Sequence, residues 1–549
     1  METGRRGLIV APEAGCGRGF DARVPEAHRA APRNANVTDD ASMNHLGVTD
    51  RATPEALAAQ APLRRFAGAW SLWALGVSVV ITGEFSGWNT GLTTGGFGGL
   101  LIATIVITVM YLALAFSLAE MSAAMPHAGA AYSYARTALG PFAGCAAGLA
   151  QIISYVMAGA AVVVTFGAYL QSFLTAHADL SLPEPVWWAA LYVLFGGLNV
   201  HGAATTFRVA IVLSVIALAA LVGFWVIALP AFDLDLALNV PVAAGGTIYL
   251  PNGLTGIALA IPYAIWFYLA IESVPLAAEE ARRPEYGVPR GLAWGIVTLV
   301  VAALVTFVLN SGVPPGAAKI GASPEPLLAG FTGVLGDGAS PALLAAIGVA
   351  GQAASFHATI YAYGRSIFAM GRSGYLPTSL AVVLPGRGTP HYALIAGSVV
   401  GFLVALAGKL IPEEVGLGTV LISMSVFAAI ISYILQMLSF ASLRRRHPDM
   451  ARPYMSPFGA TGAVTALVIS GAALIFMILD TSLRPGLLGC LVVMAAGLLY
   501  FVLYARHRLI RSPEEAVARA EAGHERDALL APAVGRPAPP EVTEPRERG

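Results

Sequence analysis

Residues 70–92 read WSLWALGVSVVITGEFSGWNTGL and form the first long apolar segment of the chain. The segment is long enough to cross about 30 Å of hydrocarbon, yet it contains a carboxylate, Glu84, between Gly83 and Gly87. A charge at the centre of a bilayer costs about 2.5–3.5 kcal/mol, so charged residues there usually have a function. Glycine lets a backbone unwind and approach a ligand closely. The segment therefore predicts a broken first helix that binds a small cation.

The composition of the whole chain is typical of an integral membrane protein. Its 549 residues are 56% hydrophobic and 12% charged, whereas about a quarter of the residues in soluble domains are charged. The apolar residues form blocks of about twenty, the length of a spanning helix. We therefore predict an all-α membrane protein with about twelve spans. The predicted spans cover residues 69–92, 97–122, 141–172, 185–201, 206–230, 254–275, 289–311, 341–366, 391–409, 415–440, 460–480 and 485–505.

The charged connections predict how the spans are oriented. Arginine is concentrated in alternate connections, for example at Arg136, Arg208 and residues 444–446, whereas acidic residues such as Asp179 and Asp233 prevail in the others. We expect a multi-pass protein of the plasma (inner) membrane, with an even number of spans and both termini in the cytoplasm.

The two ends of the chain differ in composition from its apolar middle. Residues 1–66 and 511–549 are rich in Ala, Arg, Pro and Glu without hydrophobic periodicity, so we expect disordered tails around a membrane domain at 67–510. An N-terminal extension of this length is also compatible with a misplaced start codon. Three scattered cysteines without a CxxC pair predict neither a disulfide framework nor a metal site, and no cofactor is expected. The balance of 32 basic and 32 acidic residues gives no indication of a nucleic-acid partner.

A second interruption is predicted in the sixth span. Residues 260–275 read AIPYAIWFYLAIESVP and contain an acid, Glu272, shortly before Pro275. Proline removes a backbone donor and breaks or kinks a helix. The first and sixth spans are five apart, so they cross the membrane in opposite directions. Two broken helices so placed are typical of inverted five-helix repeats that bind a substrate near the middle of the membrane.

Several motifs, in the right order, resemble those of the amino acid–polyamine–organocation (APC) permeases. Besides the first span, they are residues 119–136 (AEMSAAMPHAGAAYSYAR), 278–290 (AEEARRPEYGVPR) and 361–377 (YAYGRSIFAMGRSGYLP). Within that superfamily, three shorter stretches look most similar to ethanolamine permeases. These stretches are residues 81–89 (ITGEFSGWN), 264–272 (AIWFYLAIE) and 354–361 (ASFHATIY).

The resemblance implies the leucine-transporter-type fold, with ten core helices in two inverted repeats. Repeat one would cover residues 69–230, repeat two residues 254–440, and two peripheral helices residues 460–505. It also implies a bacterial secondary active transporter that moves a small molecule through the lipid bilayer by alternating access, with protons as a possible coupling ion.

The acid in the first span, Glu84, indicates which kind of substrate the protein would bind. Amino-acid carriers of the superfamily usually have small residues at this break, where backbone N–H groups receive the substrate carboxylate. Glu84 would repel a carboxylate and attract an ammonium group. We therefore expect a small amine, with ethanolamine as the first candidate. An amino-acid permease, with Glu84 facing the α-amino group, is the alternative. A structural role, in which Glu84 caps the broken helix or pairs with a distant arginine, also stays open.

Other site residues are expected in the sixth, third and eighth spans. Trp266 or Phe267 could cover a bound cation through its aromatic face, or could pack between helices. Glu272 could bind the substrate, carry a proton or link helices through hydrogen bonds. His357 could relay a proton, although a lone intramembrane histidine often makes an interhelical hydrogen bond. The remaining candidates are Thr82, Gly83, Gly87, Tyr155 and Ser355 in the site and Glu120 in a cytoplasmic gate.

Other classes of membrane protein fit the sequence less well. The fifth span has no lysine in residues 214–218 (SVIAL), so proton coupling would have to use Glu84, Glu272 or His357. No interior nucleophile–base set or metal-ligand set indicates an enzyme. A receptor would need an ordered extramembrane domain, and an ion channel would need no inverted interruptions.

Overall fold

We describe the protein from a computed structural model that covers residues 65–126, 129–336, 341–410 and 416–510. Within these ranges every regular element is helical, apart from two isolated β-bridges. The tails predicted at 1–66 and 511–549 lie outside the described residues, except for Arg65 and Phe66.

The helices follow one another with short connections. Numbered in chain order, the α-helices are α1 Ala69–Val80, α2 Thr82–Phe85, α3 Thr90–Ala124, α4 Ala131–Leu139, α5 Pro141–Ala178, α6 Glu184–His201, α7 Ala203–Ala228, α8 Leu234–Ala237, α9 Gly253–Trp266, α10 Pro284–Ser311, α11 Ala317–Ala322, α12 Pro326–Leu335, α13 Pro341–Arg372, α14 His391–Ala407, α15 Leu417–Arg446, α16 Gly459–Leu479 and α17 Arg484–Leu503. Among the short 3₁₀ helices, Ile271–Glu280 matters most and is called the 3₁₀ segment below.

Nine helical stretches of the described residues are long and apolar enough to cross a membrane, as an integral membrane protein requires. Ten of the predicted spans each coincide with one helix, for example the fourth with α6 and the eighth with α13, whereas the first and the sixth are interrupted. The number twelve itself stays a prediction. The short helices α4, α11 and α12 were not predicted, because each is too short to form an apolar block of spanning length.

The chain is interrupted at both places where the sequence predicts a break. The first break, residues 81–89, lies between α1 and α3 and contains the four-residue helix α2. The second break, residues 267–270, lies between α9 and the 3₁₀ segment, and Ala270 adopts a left-handed conformation there (φ 79°). The cause differs from the expected one, because the second break begins well before Pro275, which lies inside the 3₁₀ segment.

The two breaks touch each other inside a scaffold of longer helices. A Cβ atom added at Gly83 would lie 2.7 Å from the carbonyl oxygen of Trp266, so glycine permits this approach. Around the breaks, α5 packs against α13 and α15, and α3 packs against α9. The helices therefore bring both interruptions to the buried centre of the bundle.

The outer ends of the interrupted helices are joined by their backbones. The N–H groups of Phe66 and Ala67 both donate to the carbonyl oxygen of Glu280 at 2.8 Å. In return, the N–H of Arg282 donates to the carbonyl oxygen of Ala67 at 2.9 Å. The start of α1 is thus fixed to the end of the 3₁₀ segment.

Candidate functional site

A small cavity lies between the two breaks, α5 and α13. Its volume is about 20 Å³, room for about one water molecule. Four of the predicted site residues line it, namely Thr82, Gly83, Trp266 and Ser355. The other lining residues, which the sequence did not single out, are Val79, Val80, Ala158, Val162, Leu269, Ala270 and Thr359.

Polar side chains of α13 replace hydrogen bonds that the first break removes from α1. The hydroxyl of Ser355 donates to the carbonyl oxygen of Val79 at 2.6 Å and accepts from the N–H of Thr82 at 3.3 Å. The amide of Gln352 donates to the hydroxyl of Ser86 at 3.0 Å. Because Gln352 and Ser355 are three residues apart, both face the break. Gln352 was not predicted, although an amide side chain one turn before Ser355, within an apolar span, was a usable signal.

Glu84 is fully buried in α2, directly after the cavity-lining Gly83, but it does not line the cavity itself. It interacts electrostatically with Tyr268, whose hydroxyl lies 2.7 Å from that of Thr108 on α3. Neither carboxylate oxygen has a hydrogen-bond partner within the described ranges. The two structural roles considered for Glu84, helix capping and pairing with an arginine, are therefore absent from the part of the chain that the structure describes.

Glu272 lies just after the second break, beside a cluster of tyrosines. The hydroxyls of Tyr155 and Tyr433 are next to its carboxylate. The hydroxyls of Tyr111 and Tyr433 are 3.1 Å apart, and Gln151 donates to that of Tyr155 at 3.0 Å. We call Tyr111, Tyr155 and Tyr433 the tyrosine cluster. It links the 3₁₀ segment to α3, α5 and α15, while Tyr155 and Glu272 lie outside the cavity lining.

The aromatic residues at the second break have different positions. Trp266 lines the cavity, whereas Phe267 does not, and its ring stacks on that of Trp88 with 5.5 Å between ring centroids. Gly87 has a φ of +92°, and a Cβ atom there would lie 2.5 Å from the indole nitrogen of Trp266. Glycine is therefore required at position 87 both for its conformation and for the space that Trp266 occupies.

His357 lies on α13 but faces α6 and α7 instead of the cavity. Its Nε2 is 3.1 Å from the carbonyl oxygen of Thr206, and its Nδ1 is 3.2 Å from the side-chain nitrogen of Asn199. A neutral ring that donates from Nε2 and accepts at Nδ1 satisfies both contacts. The structure thus places His357 in an interhelical hydrogen-bond network.

The acids near the ends of the spans form two separate groups. Glu120 accepts hydrogen bonds from the guanidinium of Arg444 at 2.7 and 2.9 Å and from the N–H of Ser456 at 2.8 Å. It therefore anchors the loop after α15 to α3. Glu280, at the end of the 3₁₀ segment, instead pairs with Arg365 and accepts a hydrogen bond from Tyr361, both on α13.

Comparison with known proteins assigns the family. The family model described as amino acid permease matches residues 71–508. A branched-chain amino acid permease of Bacillus subtilis (strain 168) is 28% identical over 81% of this chain and 94% of its own length. A methylthioribose transporter of the same strain is 26% identical over 83% of this chain and 97% of its own length. An uncharacterized transporter of Rhizobium meliloti (strain 1021) is 27% identical over 82% of this chain and 94% of its own length. The chain therefore belongs to the amino acid permease family, whose members are integral membrane transporters.

Proposed function

We propose that this protein is a secondary active transporter that imports a small organic amine, with ethanolamine as the first candidate. It works by alternating access in the plasma (inner) membrane, with both termini in the cytoplasm. Residues 69–230 and 254–440 form two inverted repeats, with the breaks as substrate site and residues 460–505 as peripheral helices. Transport of small solutes by members of the family supports this reading.

The observation that carries the proposal is the unpartnered carboxylate of Glu84. A buried charge without a partner is strongly unfavourable, and no arginine or lysine of the described residues is paired with it. An ammonium group would supply both the positive charge and the missing hydrogen-bond donors. Glu84 is adjacent to Gly83, which lines the cavity, so a modest turn of α2 brings the carboxylate to a ligand held between the breaks.

The size of the cavity implies that the substrate binds in another conformation. A space for about one water molecule is too small even for ethanolamine, which has four non-hydrogen atoms. The site must therefore enlarge when α1 and the 3₁₀ segment move at their breaks, and Trp266 closes over the ligand. This is the gating that alternating access requires.

Glu272 and the tyrosine cluster are the proposed place of proton coupling. The carboxylate follows the second break directly, and its Oε2 has no hydrogen-bond partner among the residues described. Protonation would remove a charge from the segment that moves. The tyrosine hydroxyls could donate to the charged form and accept from the neutral form.

One observation favours the alternative substrate, an amino acid. No charged side chain lines the cavity, and a zwitterion can be held by the backbone groups of two broken helices without one. The names of relatives also include a branched-chain and an aromatic amino acid carrier. In this case Glu84 would bind only the α-amino group, and the substrate carboxylate would be bound elsewhere.

Uptake into proteoliposomes distinguishes the two substrates. We expect saturable uptake of radiolabelled ethanolamine, its loss in Glu84→Gln, and normal uptake in the matched control Glu285→Gln, which changes a carboxylate outside the cavity. Inhibition by excess alanine and leucine, together with uptake of labelled amino acids, would favour the amino-acid permease instead. Undiminished ethanolamine uptake by Glu84→Gln would refute the role of Glu84.

A further inference from the structure

A second, larger pocket lies far from the breaks, between the start of α1 and the start of α10. Its volume is about 660 Å³, and Ala67, Gly68, Gly287 and three arginines form much of its wall. The small residues leave the space open, since nothing lies within 4 Å of a Cβ atom added at Gly68. The pocket is on the side of the membrane that the arginine distribution predicts to be cytoplasmic.

Among the described residues, the charged side chains that line this pocket are all positive. Arg282, Arg283 and Arg290 are all exposed, and none forms an ion pair or a side-chain hydrogen bond with another described residue. Of the nearby acids, Glu279 pairs with Arg372 and Glu280 pairs with Arg365, and Glu285 is not among the residues that line the pocket. Three free guanidinium groups in one concave site match a phosphate group, which they can bind through charge-assisted hydrogen bonds.

An apolar stripe continues from the pocket along α10. Arg290, Trp294, Val297 and Val301 follow one another at intervals of four, three and four residues, so they share one face of the helix. The three apolar side chains are exposed, Trp294 by 66%. Trp70, at the start of α1, is also 77% exposed. Tryptophan is typical of the level at which lipid headgroups meet the hydrocarbon.

We propose that this pocket binds the headgroup of an anionic phospholipid of the cytoplasmic leaflet. The three arginines hold the phosphate, and an acyl chain lies along the apolar stripe of α10. Basic pockets between spanning helices on the cytoplasmic side suit such headgroups, and the nearby acyl surface distinguishes a lipid from a soluble anion. Lipid binding here does not depend on which solute the protein transports.

Native mass spectrometry of the full-length protein tests the assignment. The purified protein is offered equal amounts of phosphatidylglycerol and phosphatidylcholine, and the retained lipids are counted. Each basic residue contributes roughly a fivefold preference for an anionic lipid, so Arg282→Gln, Arg283→Gln and Arg290→Gln combined should lower phosphatidylglycerol retention by roughly a hundredfold.

The matched control removes three arginines elsewhere on the same predicted side. Arg208, Arg387 and Arg445 are also exposed, and their side chains have no described partner. Replacement of all three by glutamine removes the same charge, so phosphatidylglycerol retention should stay at the wild-type level. Equal losses in the two triple variants would mean that net charge, and not the pocket, attracts the lipid, and would overturn the proposal.

A third variant places a bulky side chain in the wall of the pocket, beside the arginines, and leaves every arginine in place. Gly68 has a φ of −94°, which any residue can adopt, so Gly68→Phe should fold normally and still exclude the headgroup. Retention of phosphatidylglycerol by Gly68→Phe at the wild-type level would contradict the assignment. Displacement of the lipid by millimolar inorganic phosphate would also contradict it, because the site would then bind a soluble anion.

Discussion

The indole N–H of Trp266 donates to the carbonyl oxygen of Ser86 at 3.1 Å, so a side chain at the end of α9 closes directly on the backbone of the first break. Both partners are buried. We expect this hydrogen bond to keep the small cavity closed and to open before a substrate enters.

Trp266→Phe should weaken the closed state while it keeps an aromatic wall. The lost hydrogen bond corresponds to about 0.5–1.5 kcal/mol, so KM for uptake should change by roughly two- to tenfold. Trp225→Phe is the matched control, because it removes an indole hydrogen bond of 2.9 Å to Thr306, away from the cavity. An unchanged KM in Trp266→Phe would show that this contact does not limit access.

Gly83→Ala should separate the two breaks. Its added methyl group would meet the carbonyl oxygen of Trp266 at 2.7 Å, and such overpacking costs about 1–3 kcal/mol. We expect a lower Tm in detergent and little uptake. Gly223→Ala on α7 adds the same methyl group where nothing lies within 4 Å, so its Tm should not fall. Wild-type behaviour of Gly83→Ala would contradict the close contact.

Arg365→Met should destabilise the protein because Glu280 would stay buried without its cation. Breaking a buried ion pair from one side costs about 3–5 kcal/mol. The double variant with Glu280→Gln should recover part of the lost Tm, since neither charge is then left alone. A double-mutant cycle of Tm values measures this coupling. Additive losses in the double variant would show that the pair does not act as a unit.

His357→Gln should lower the Tm and leave the shape of the pH profile of uptake unchanged. Both ring nitrogens of His357 are engaged by Thr206 and Asn199, so the residue stabilises the contact of α13 with α6 and α7. Glu272→Gln is the informative comparison, because loss of the proposed proton site should alter the profile. If an inflection in the pH profile of uptake disappears in His357→Gln, the proton step would be assigned to this histidine.

The positions of the long helices and of both breaks followed from hydropathy, glycine and two buried acids, whereas Pro275, the expected cause of the second break, lies inside the 3₁₀ segment. The direction of individual side chains did not follow. Successive residues of a helix point about 100° apart, and a break shifts that angle further, so Gly83 lines the cavity while the adjacent Glu84 does not. His357 and Ser355 are two residues apart on one helix and consequently face different neighbours. The amide of Gln352 was a usable signal, but one sequence does not reveal that its partner is Ser86, 266 residues away.

The backbone bridge between Ala67 and Arg282 has a mechanical consequence. It couples α1 to the 3₁₀ segment, so we expect the two to move about the breaks as one lever. Because the coupling uses main-chain atoms, substitutions can alter the surface of the lever and leave its rigidity intact.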